Sequence, residues 1–216
     1  MISWNSRTIL LLASLWLVAR PGLAEQEYQP QDPFAAIDGD PVYVGEIQLV
    51  LADRVGLEKL PSVGEDVKRA TALLLVRRRL AMRSLEAAGG EALQSLIDRR
   101  LQSIRDELSR RNSSLSRYAE GRRVTENAVV ADLTWKVAWG QYVKSKLTDE
   151  NLRRFFDQHR AAYGGGDFDD LADHGKLRRA ATNALFDTLV RKQSQTKVQW
   201  FIPALQPPDG VLVIPK

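Results

Sequence analysis

The stretch Asp38-Gly39-Asp40-Pro41-Val42-Tyr43-Val44-Gly45-Glu46-Ile47 sets the reading of the whole chain. Val42-Tyr43-Val44 is a brief β-type run, and Pro41 before it is tolerated because a strand's first residue need not donate to a ladder. Gly45 then caps a predicted helix from Glu46 towards Val55, ended by Gly56 and Pro61. A second short strand is read at the far end, over Lys197-Val198-Gln199-Trp200-Phe201-Ile202. Strands this short leave their backbone N–H and C=O groups unpaired in isolation. Val42–Val44 and Lys197–Ile202 are therefore expected to pair with each other and close the body between them.

Between those ends lies almost nothing but amphipathic helix. Ser62-Val63-Gly64-Glu65 has capping-box form and opens a helix predicted to reach about Ala88, with Val67, Ala70, Leu74, Ala81 and Leu85 along one face. Gly89-Gly90 reads as its stop. The next helix, about Glu91 to Arg111, repeats Leu93, Ile97, Leu101, Ile104 and Leu108 at helical spacing. Asn112-Ser113-Ser114 is a break, and a short helix follows to about Arg122. Thr125 caps a helix to Leu147 with two apolar faces: Val130, Leu133 and Val137 on one, Trp135, Trp139 and Tyr142 on the other. A helix apolar on two sides is either central or keeps one face free for a ligand. Thr148-Asp149-Glu150 opens a helix reaching about Tyr163. After Gly164-Gly165-Gly166 a last helix runs to about Ser194, with Gly175 as a candidate interruption. The expected fold is mostly α: one helical domain over 36–203, closed by a small sheet of its N- and C-terminal strands.

Arg7 precedes eleven apolar or small residues, Ile9 to Ala19, and Gly22-Leu23-Ala24 has the form of a signal-peptidase site. Residues 1–24 are thus expected to be a secretory signal peptide cut after Ala24, which implies a periplasmic or secreted protein. The apolar run falls short of the roughly 20 residues that span a bilayer; an uncleaved anchor is the alternative. Residues 25–35, polar and carrying Pro30 and Pro33, read as a linker. Residues 204–216 read as a C-terminal tail or an extra strand at Val211–Ile214, after the turn signal Pro207-Pro208-Asp209-Gly210. Without Arg7 and Arg20 the formal charge falls from +4 to +2. Both signs are dispersed, so no nucleic-acid partner is expected. With no cysteine in the chain, disulfides and thiolate chemistry are excluded, and the fold rests on its apolar core.

Little in the sequence points to covalent chemistry. His159 and His174 are the only histidines, and no His or carboxylate set has metal-ligand spacing on one helix face. Asp167, Asp169, Asp170 and Asp173 cluster after the glycines, where acidic residues suit an approaching helix start. No phosphate cradle or nucleophile motif is present. No cofactor, metal or catalytic residue is expected. Arg77-Arg78-Arg79, Arg110-Arg111 and Arg122-Arg123 read as solvated helix faces, with at most a peripheral contact to an anionic membrane.

The order of these segments resembles the SurA-type periplasmic chaperones and foldases. Asp38–Ile47 is similar to that family's opening strand and helix, and Ser114–Tyr118 followed by Val124-Thr125-Glu126 resembles its paired helices. Leu147-Thr148-Asp149-Glu150-Asn151-Leu152-Arg153-Arg154-Phe155-Phe156 with His159 resembles its Thr-Asp-Glu helix, and Phe186, Leu189 and Lys197–Phe201 its closing helix and strand. In the family a parvulin prolyl isomerase domain usually follows the Thr-Asp-Glu helix. Here Gly164-Gly165-Gly166 leads straight to the last helix, and a domain of about 50 residues has no room. The resemblance implies a SurA/trigger-factor-like peptide-binding module without the isomerase. It would bind unfolded or partly folded exported polypeptides. A retained isomerase activity and a dedicated assembly subunit with one fixed partner are the alternatives. Met82, Trp135, Trp139 and Tyr142 are the candidate client contacts, because such side chains supply contact area without demanding a sequence; ordinary core packing is the competing role.

Overall fold

The computed structural model describes residues 28–171 and 173–208. The signal peptide read at 1–24 and the strand read at Val211–Ile214 lie outside the described residues. The chain forms β1 (Pro33–Ile37), β2 (Asp40–Tyr43), α1 (Val44–Val55), a 3₁₀ turn (Leu57–Ser62), α2 (Glu65–Arg110), α3 (Leu115–Glu120), α4 (Glu126–Lys146), α5 (Asp149–Gln158), a second 3₁₀ turn (Arg160–Tyr163), α6 (His174–Arg191), β3 (Val198–Trp200) and a last 3₁₀ turn (Pro203–Leu205). It is mostly helical, with one small antiparallel sheet.

That sheet corrects two expectations. Its order is β2-β1-β3, so the segment at Val42 does not pair with the closing strand. β1 lies between them: Ala35 faces Val42 on one side and Trp200 on the other. The end of the supposed linker is thus the central strand. Phe34, Ala35, Ala36 and Ile37 are all buried, and a strand buried on both faces shows no apolar–polar alternation to mark it. The first and last strands of the described residues do share one sheet, joined through this extra strand. The hairpin between β1 and β2 turns at Asp38 and Gly39, both at positive φ (50° and 93°), as tight hairpin turns require.

The helix starts follow local capping chemistry. Ser114, Thr125, Thr148 and Asp173 each accept a backbone N–H of the first turn through a side-chain oxygen. The capping box read at Ser62 does not form. Gly64 is the residue preceding α2, and the Ser62 hydroxyl donates instead to the Lys59 carbonyl at 2.8 Å. Gly175 does not break α6, which begins one residue before it. At Gly90 the backbone leaves helical geometry (φ 48°, ψ −142°), so α2 is two helical segments that meet at a kink, and the stop read at Gly89-Gly90 falls where they join.

Three apolar clusters hold the fold, and α2 contributes to the first two. The largest joins the sheet, α1, α2, α4 and the C-terminal part of α6, and includes Phe34, Ile37, Val76, Trp135, Leu189 and Ile202. A second links Leu49 of α1, α3 and the start of α4. A third gathers Leu147, Leu152, Phe156, Leu177 and Ala181 between the end of α4, α5 and the start of α6. Each fully buried large side chain contributes roughly 1.5–3 kcal/mol. Val67, expected on the buried face of α2, is half exposed, because it lies in the first turn beyond the reach of the main cluster.

Candidate binding cleft

Three consecutive arginines organise the middle of α2. Successive helical residues point about 100° apart, so Arg77, Arg78 and Arg79 leave the helix towards three neighbours. Arg77 pairs with Asp187 of α6 and lies 5.1 Å from the Phe186 ring centroid. Arg78 reaches Asp132 of α4 at 3.6 Å and lies over the Trp135 ring at 5.7 Å. Arg79 donates to Glu46 of α1 at 3.0 Å. One turn on, Arg83 donates to Asp38 and Asp40 of the hairpin and to the Ile37 carbonyl, the last two at 2.7 Å. This cluster, read from sequence as a solvated face, is an internal hub. A run of charges carries no mark of which distant carboxylates will meet it.

The hub borders a cleft between α1, α2 and α4. Val50, Leu75, Met82 and Trp135 give it an apolar lining, and Glu46, Arg78, Arg79, Glu86 and Asp132 a polar one; its volume is about 60 Å³. Arg79, Met82 and Glu86 also line a neighbouring compartment of about 200 Å³, bounded further by Ile37, Asp40, Pro41 and Arg83. Burial lowers the pKa of Arg78, against the opposing field of Asp132. Lys136 also binds Asp132, at 2.6 Å, and approaches Asp53 at 3.4 Å. Burial disfavours its charge, yet the hydrogen bond to Asp132 and the two carboxylate fields outweigh burial and raise its pKa. Burial raises the pKa of Glu86, with Arg79 and Arg83 opposing.

Of the four side chains expected to contact a ligand, the structure brings Met82 and Trp135 to this cleft. Both are core residues, 6 % and 8 % exposed, and each shows only an edge to it. Trp139 and Tyr142 are half buried and extend an aromatic ladder away from Trp135, with ring centroids 5.4 and 5.9 Å apart along it. Phe186 of α6 stands edge-on to both tryptophans at 5.8 Å. Burial raises the Tyr142 pKa. The two-faced apolar pattern of α4 thus marks a central helix, packed on α1, α2 and α3.

The remaining candidates serve the scaffold. His159 stacks on Phe155 at 4.2 Å, and its Nδ1 lies 2.8 Å from that residue's carbonyl. His174 meets the Phe168 ring edge-on at 5.1 Å. Asp169 pairs with Arg153 at 2.9 Å, and Asp173 caps α6. Among the described residues no group of three or more His, Asp or Glu side chains is placed to hold a metal ion, and no helix is long and apolar enough to cross a membrane. No protein-family model, curated protein or solved structure matches the chain.

Proposed function

We propose that this is an exported, chaperone-like protein that holds unfolded or partly folded polypeptides without covalent chemistry. The observation that carries the reading is the cleft over α2, where an apolar lining of Val50, Leu75, Met82 and Trp135 lies beside paired charges. Such a site takes side chains by contact area and leaves the backbone unread. The resemblance of Asp38–Ile47 and Leu147–Phe156 to SurA-type chaperones supports the same reading, and the direct passage from the Gly164 loop to α6 leaves no room at that point for an isomerase domain. The leader sequence supports export to the periplasm or beyond.

The test is suppression of aggregation of a chemically unfolded exported protein, followed by light scattering. The wild-type chain is expected to suppress it. Ala131→Trp, which fills the cleft from α4, is expected to suppress it less while keeping its helical circular dichroism. Equal protection by a folded Ala131→Trp variant removes the cleft from the mechanism. Acceleration of Xaa-Pro isomerisation above background in a peptide assay supports the isomerase alternative. Failure of unrelated unfolded chains to displace a bound client supports a dedicated subunit.

A further inference from the structure

The two compartments share Arg79, Met82 and Glu86 and so lie side by side on α2, forming a groove. An audit of its charges shows which ligand chemistry it accepts. Arg79 is committed to Glu46, Arg78 to Asp132, and Arg83 to Asp38, Asp40 and the Ile37 carbonyl. Each guanidinium facing the groove therefore already has a carboxylate. Glu86 is the exception on the acidic side: among the described residues it has neither an ion pair nor a hydrogen bond, and it borders both compartments. An acidic ligand would have to share a guanidinium whose charge a carboxylate already offsets. A basic one finds a free carboxylate, and the partial desolvation that raises the Glu86 pKa makes that partner more favourable.

We infer that the groove takes a polypeptide segment in which a small apolar residue sits in the Met82–Trp135 compartment and a lysine or arginine two positions away pairs with Glu86. The spacing follows from the helix. Met82 and Glu86 are four residues apart, about 6 Å along α2, which matches two residues of extended chain at about 3.3–3.6 Å each. Residues i and i+2 of an extended segment also point to the same side. This inference rests on the reading that the groove holds polypeptide.

The test uses three fluorescent peptides alike except at one position, Val-x-Lys, Val-x-norleucine and Val-x-Glu, with affinities from anisotropy at low ionic strength. The wild-type chain is expected to prefer lysine over norleucine by about three- to fivefold, as for a partly exposed ion pair, and to bind the glutamate peptide weakest. Glu86→Gln brings the lysine peptide down to the norleucine peptide, and Glu86→Lys reverses the order of lysine and glutamate. Glu86 is exposed, so both variants are expected to fold, which circular dichroism checks. Equal binding of all three peptides by the wild type overturns the basic-residue preference and leaves polypeptide holding intact. An unchanged preference in Glu86→Gln overturns the assignment to Glu86. Failure of every peptide to bind overturns both this inference and the function it rests on.

Discussion

Asp38 joins three elements through one carboxylate: it accepts the Lys197 backbone N–H at 2.9 Å, at the entry to β3, and pairs with Arg83 of α2. The Lys197 hydrogen bond first, and the Arg83 hydrogen bond second, lower its pKa. A carboxyl whose folded pKa lies below its unfolded value, about 3.9, stabilises the fold above that value and loses the contribution as pH falls through the folded one. Asp38→Asn, which tolerates the same left-handed turn, is therefore expected to lower the melting temperature at neutral pH. The gap from wild type should close as both are titrated towards pH 3; a constant gap refutes the linkage. Arg79 makes the second residue-scale case. Its partner Glu46 is only 7 % exposed and would keep only the Tyr43 N–H at 3.3 Å, so Arg79→Ala is expected to cost about 1–3 kcal/mol by chemical denaturation. Lys68→Ala breaks the exposed pair with Glu65 and should cost less than about 1 kcal/mol. The importance of these residues was not legible in the sequence, because their partners lie 33 to 159 positions away. The aromatic residues were legible as a set, through their helical spacing, but spacing does not say whether a stripe faces a ligand or, as with Trp139, another helix.

The helices were legible because their caps and periodicities are local. β1 was not: a short strand buried on both sides, two of its residues alanine, carries neither alternation nor bulk. The double glycine at Gly89-Gly90 was legible as a break between two helical segments, but not that Gly90 alone carries it. That distinction yields a paired prediction. Gly90 adopts a φ, ψ combination that L-residues rarely enter, so Gly90→Ala is expected to destabilise by about 1–3 kcal/mol. Gly140 lies inside α4 with open space where a Cβ would go, and Gly140→Ala is expected to stabilise by about 0.5–1 kcal/mol. Urea titration of the two variants should move the midpoints in opposite directions; a shift of the same sign rejects the kink as a structural requirement.

The molecule is closed by its last described segment. β3 pairs with β1, Trp200 lies 6.0 Å from Phe34 between ring centroids, Ile202 and Leu205 are buried, and Arg69 of α2 donates to the Ala204 carbonyl at 3.1 Å. Leu205→Ala is expected to cost about 2–5 kcal/mol. Deleting residues 197–216 should lower the melting temperature of the whole body and strip hydrogen-exchange protection from β1; an unchanged melting temperature rejects the closed-end architecture. Closure by the two ends was legible from the sequence even though the pairing was not, because each end carried a strand that could not stand alone. The arginine hub adds a mechanical property at this scale. A shaft held by bearings on three sides, each about 100° from the last, cannot roll about its axis or advance by one residue without unseating all of them. Torque applied to the segment of α2 that carries the hub passes at once to α1, α4 and α6, which leaves the kink at Gly90 as the easiest place for its two segments to move against each other.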